Sequence, residues 1–123
     1  MSPIKWKKQY NKNNCGQIAV SVITGKSLRE VYKVIGHDGG TKTIALTKAL
    51  KYFGYDCPNK LKTLKEKPKL AIAKLSHKLR YGWHWVVIDK DRIYDGAAGN
   101  KKGQVNWKRG HKITSYLPIK KDN

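Results

Sequence analysis

Cysteine is scarce in this sequence. There are two, Cys15 and Cys57, and neither belongs to a CxxC pair or to a Cys/His cluster with zinc spacing. A disulfide framework and a zinc-finger class are therefore excluded. Both thiols are expected to be free, as in a reducing, intracellular setting. No run of about 18 apolar residues occurs, so no membrane insertion is expected. The N-terminal MSPIKWKKQYNKNN is basic but has no apolar stretch after it, unlike a signal peptide. A cytoplasmic protein is the expectation. Internal repeats, low-complexity tracts and linkers are also missing. One domain over residues 1–123 is expected, long enough for a real core with no metal, disulfide or cofactor.

Acidic residues are few as well. Asp and Glu number 8 against 27 Lys and Arg, a formal net charge of +19. The excess is spread along the chain, with eight basic residues in segment 60–80 and seven in segment 101–123. Such a surface attracts polyanions or acidic proteins. Only four of the basic residues are arginine, namely Arg29, Arg80, Arg92 and Arg109. Reading of base edges favours arginine forks, whereas lysine suits non-specific phosphate contact. Sequence signatures of helix-turn-helix, zinc-finger or RNP type are not found.

The N-terminal half has helical grammar. Asn13 and Asn14 are good N-caps for CGQIAVSVITG, which ends at Gly25, a plausible C-cap. Its apolar positions go nearly all the way round, a pattern that fits a buried strand as well as a buried helix, and the asparagine caps and terminal glycine favour the helix. Ser27 caps a second helix with Leu28, Val31, Tyr32 and Ile35 on one face. After the turn HDGG, Thr41 or Thr43 opens a third, with Ile44, Leu46, Leu50 and Phe53 mostly inward and Gly54 as its cap. From Tyr55 the pattern turns strand-like, over Leu70–Leu75, Trp83–Ile88, Arg92–Asp95 and Ile113–Ile119. Pro118 suggests that the last is an edge strand, and GAAGNKKGQ reads as a loop. Three helices followed by an antiparallel sheet make an α+β fold.

The chemistry gathers at Cys15. A helix N-terminus stabilises thiolate through its unpaired N–H groups and its dipole. Gly16 follows, so no side chain blocks approach to the sulfur. Cys57, in YDCP beside an acid, sits where thiolate is disfavoured. A base is needed, and there are four histidines. His37 lies in a helix-terminal turn, His77 in a loop and His111 in a basic stretch, whereas His84 is embedded in the strand GWHWVVI. A polar residue at such a position needs a partner or a role. If Ile88 faces Ile93 across the DKDR turn, then His84, Val86, Ile88, Ile93 and Asp95 share one face. His84 and Asp95 become diagonal neighbours, roughly 7–8 Å apart at the backbone. Gln9 precedes Cys15 by six positions, where its amide, with the Cys15 N–H, can hold an oxyanion.

The order Gln9, Cys15, His84, Asp95 resembles papain-like cysteine peptidases. More closely it resembles the family that processes double-glycine leaders of bacteriocins. The stretches QYNKNNCGQIAVSVITG, GKSLREVYKVIGHDGGTKTIALTKALKYFGYDC and HWVVIDKDRIYDGAAG carry the resemblance, over roughly residues 9–99. It implies a papain-like fold, Cys15 as nucleophile, His84 as base, Asp95 as orienter and Gln9 as oxyanion donor. It also implies a peptide or protein substrate with small residues such as glycine before the cut. Asn14 stands where the family commonly has Asp, and Gly96 where it commonly has Pro. Three other readings are compatible with these residues: a nucleic-acid- or acidic-protein-binding module, a degenerate peptidase that only binds peptides, and a transamidase or deamidase using the same triad.

Overall fold

In the computed structural model, the described residues are 14–37, 39–63, 69–77, 83–90, 92–95, 99–102 and 111–121. Three helices come first: α1 (Cys15–Thr24), α2 (Leu28–Ile35) and α3 (Thr43–Tyr52). α1 is buried from Cys15 through Ile23, as its all-round apolar pattern predicts. It stops at Gly25, whose φ of 72° places it in the left-handed region that glycine enters without steric cost. α2 opens with a full capping box: the Ser27 hydroxyl accepts from the Glu30 N–H, and the Glu30 carboxylate accepts from the Ser27 N–H.

The strands follow in order: β1 (Tyr55–Asp56), β2 (Lys62–Thr63), β3 (Leu70–His77), β4 (Trp83–Asp89), β5 (Arg92–Asp95), β6 (Gly99–Lys102), β7 (His111–Pro118) and β8 (Lys120–Lys121). Six of them form one antiparallel sheet in the order β2-β7-β3-β4-β5-β6, while β1 and β8 pair separately. The β4–β5 hairpin takes the register read from the sequence, with Ile88 opposite Ile93. Side chains alternate across this sheet. Ile72, Trp85, Val87 and Leu117 join the helices in the main core. Ala71, Ala73, Leu75, Val86, Ile88 and Ile93 form a second cluster.

Five details differ from the sequence reading. Asn14 occupies the N-cap position, but its side chain makes no cap bond and donates instead to the Tyr32 hydroxyl at 2.9 Å. A tertiary partner outcompetes the local one. Ile44 is 61% exposed rather than inward, because α3 meets its neighbours through Leu46, Ala49 and Leu50. His77 ends β3 rather than lying in a loop. Part of GAAGNKKGQ is strand β6, recruited by backbone pairing with β5 despite its poor strand propensity. Finally, β7 is flanked by β2 and β3 and is no edge. Pro118 is tolerated at its last position, opposite Ala71 and two residues past the end of the β2 pairing at Tyr116.

Candidate active site

Cys15 is the first residue of α1, 7% exposed and packed into the main core. The Asn14 carbonyl already accepts the Ile18 N–H at 3.0 Å, so the thiol hangs on a formed first turn. α1 rests on β4, and the contact brings the sulfur to a defined place on that strand. The main-chain N–H of Trp85 donates to Cys15 Sγ at 3.5 Å. This contact lies two residues beyond Val87–Tyr94, the last described pair of the β4–β5 ladder.

The immediate chain neighbour of that donor is His84. It is half-buried on β4, opposite Leu75 of β3. Val86 and Ile88 sit with Ile93 in the second cluster, and the pleat puts His84 on their face, as the register argument expected. Asp95 is the last residue of β5, one past the Val87–Tyr94 pair and opposite Gly99 of β6. The Asp95 side chain and the whole of Gln9 lie outside the described residues. The other histidines are elsewhere. His37 is exposed in the loop after α2, where its Nδ1 accepts the Gly39 N–H at 3.1 Å. His77 and His111 pair across β3 and β7.

Contacts that the sequence reading did not anticipate support this arrangement. Gln17 is fully buried on α1, and its Nε2 donates to the carbonyls of His37 and Gly39, each at 2.9 Å. Its Oε1 is buried and accepts no hydrogen bond among the described residues. The Trp85 indole N–H donates to the Thr41 carbonyl at 2.9 Å. Gly16 lies so close to Thr41 that a Cβ there would come within 2.9 Å of Thr41 Cβ. His37, Gly39 and Thr41 are thus held near the start of α1 by contacts from Gln17, Trp85 and Gly16. A glutamine within a mostly apolar helix was the available signal, since a buried polar group must find partners.

Cys57 has a different environment. It is buried beside a hollow of about 420 Å³ between Lys62 and Lys120. Burial pushes its thiol above the ordinary range, with nearby Lys51 opposing and Asp56 adding to the rise. The prediction that Cys57 does not favour thiolate agrees with this. No group of three or more metal-ligating side chains is found among the described residues. No described helix is long and apolar enough to cross a membrane.

No family model and no curated protein matches the sequence. Solved structures do match in fold. One is a double-glycine-motif protease from an AMS/PCAT transporter, crystallised with a leader peptide; it shares 18% identity at a TM-score of 0.76, over 97% of this chain and 92% of that one. The fold is that of double-glycine peptidase domains. A second, the peptidase domain of Streptococcus ComA, a bi-functional ABC transporter involved in quorum sensing, gives a TM-score of 0.67 at 13% identity, over 98% of this chain and 100% of that one. The double-glycine peptidase fold thus spans nearly the whole chain, and it agrees with the α+β, papain-like expectation.

Proposed function

We propose that this protein is a cysteine peptidase that cleaves a peptide after small residues such as glycine. The observation that carries this reading is the docking of the Cys15 sulfur on the Trp85 N–H, one residue from His84, within a double-glycine peptidase fold. Cys15 attacks the scissile carbonyl as thiolate, favoured by the start of α1. The oxyanion is held by the Cys15 N–H and the Gln9 amide. His84 protonates the departing amine, leaving a thioester, then takes a proton from the water that hydrolyses it. Asp95 orients the imidazole. The peptidase needs no metal or cofactor for these steps.

The test is cleavage of a synthetic leader peptide with two glycines before the cut. Cys15→Ala and His84→Ala should each abolish product, and His111→Ala should not. Asp95→Ala should be milder, as an orienting group often is. Gln9→Ala should slow turnover by about 10²–10³-fold while leaving Cys15 alkylation near wild type, because alkylation forms no oxyanion. Intact cleavage by Cys15→Ala would sink the reading. Release of ammonia from a glutamine substrate without peptide cleavage would point to deamidation on the same residues.

The +19 charge supports a second element of the proposal: the substrate or its carrier presents acidic residues to this surface. Nucleic acid is the competing anionic partner, and the two differ in salt response.

A further inference from the structure

Trp85 reaches in two directions from one buried position. Its main-chain N–H meets Cys15 Sγ at 3.5 Å, and its indole N–H meets the Thr41 carbonyl at 2.9 Å. The two contacts are mechanically linked. Thr41 Cβ and Oγ1 abut Gly16, the residue after Cys15, with the room for a Cβ there already taken at 2.9 and 3.1 Å. The chain of contact therefore runs from β4 through the indole to Thr41, from Thr41 to Gly16, and from Gly16 back to the sulfur that β4 itself touches. Gln17 closes the same segment from the helix side through the His37 and Gly39 carbonyls.

We infer that Trp85 is a positioning residue: its indole clamp on Thr41 sets the seat of α1 on β4, and so the strength of the main-chain N–H bond to the Cys15 sulfur. The inference rests on the peptidase reading above, in which Cys15 reacts as thiolate. A hydrogen bond to an ionised acceptor is roughly twice as strong as one to a neutral acceptor, and in that reading the acceptor is the thiolate nucleophile. The 3.5 Å separation is an ordinary one for the larger sulfur acceptor, and a retreat of α1 lengthens and weakens it. Phenylalanine at position 85 keeps the ring and the strand N–H but cannot hold Thr41. The buried Thr41 carbonyl then loses its partner, and the clamp opens.

The experiment is the pH dependence of iodoacetamide alkylation, read separately for Cys15 and Cys57 by peptide mass spectrometry. It compares the wild-type chain with Trp85→Phe. The variant should alkylate Cys15 about 3–10-fold more slowly at neutral pH, the scale of a weakened hydrogen bond to a charged group. Its rate–pH curve should move to higher pH, with Cys57 unchanged. A lower melting temperature with the Cys15 curve superimposed on wild type would reduce Trp85 to a packing residue and overturn the inference alone. A wild-type Cys15 no faster than Cys57 would overturn the peptidase reading and this inference with it. The wild-type protein supplies a second measurement that no folding defect can obscure. In an ¹H–¹⁵N titration, the Trp85 main-chain amide should shift with Cys15 ionisation and lose that shift in Cys15→Ala. A Trp85 amide that stays still while Cys15 titrates overturns the inference equally.

Discussion

Gly16 shows how closely a single residue can be constrained beside a reactive thiol. Helix propensity alone favours alanine over glycine by about 1 kcal/mol. Tertiary packing opposes it, since an added Cβ meets Thr41 Cβ at 2.9 Å and Leu46 Cδ2 at 3.2 Å. Thr41 Cβ is fixed to the backbone and cannot swing aside. Gly16→Ala should therefore destabilise by about 1–3 kcal/mol, as overpacking does. Urea unfolding checks this, and Thr41→Gly in the same chain should recover part of the loss. A gain in stability would mean that Thr41 yields freely. Cys57 makes a prediction of a different kind. Burial raises its thiol above the ordinary range, so the folded chain keeps a proton that the unfolded chain releases. Raising the pH past about 8.5 then favours unfolding. Stability should be flat in this respect below that pH and fall above it. Cys57→Ala should lack that part of the slope in denaturant melts recorded from pH 7 to 10.

At the scale of elements, local signals succeed where the chain solves its own hydrogen bonding. The Ser27–Glu30 capping box joins residues three apart and needs no tertiary partner. Ser27→Ala should cost about 1 kcal/mol, a drop of about 4 °C in melting temperature for a domain of this size. Calorimetry decides it, and an unchanged midpoint would mean that packing alone holds α2. Local signals fail where a distant group competes. Asn14 reads as a cap, yet its amide goes to Tyr32 on α2. The Gly99–Lys102 stretch reads as a loop, yet backbone pairing with β5 makes it a strand. Ile44 has the spacing of a core position, but α3 is rolled so that Leu46 and Leu50 take that place.

For the molecule as a whole, the excess of positive charge governs how it responds to salt. A net +19 on 123 residues repels itself in the folded state. Raising salt from 10 to about 150 mM shortens the Debye length from about 30 to about 8 Å, and the melting temperature should rise accordingly. A midpoint independent of salt would mean that the lysines are too dispersed to strain the fold. The same series tests partners. Binding of a nucleic acid should weaken linearly in log affinity against log salt, with a slope set by the phosphates neutralised. An acidic peptide should lose less, and preference for it over DNA at 150 mM would favour the protein-directed reading of the surface.

The sequence by itself determined the helix-then-strand order, the buried character of α1, the β4–β5 register and the cysteine placed at a helix start. These are properties of periodicity, capping and turn chemistry, which act over a few residues and are written in local order. The tertiary structure alone decided which backbone donor meets the sulfur and what holds it there. The Trp85 N–H is 70 residues from Cys15, and Gln17 reaches 20 and 22 residues along the chain to its carbonyl partners. A backbone N–H has no sequence signature, and a buried carbonyl accepts from whichever donor the packing delivers. Such contacts exist only once α1 is seated on the sheet.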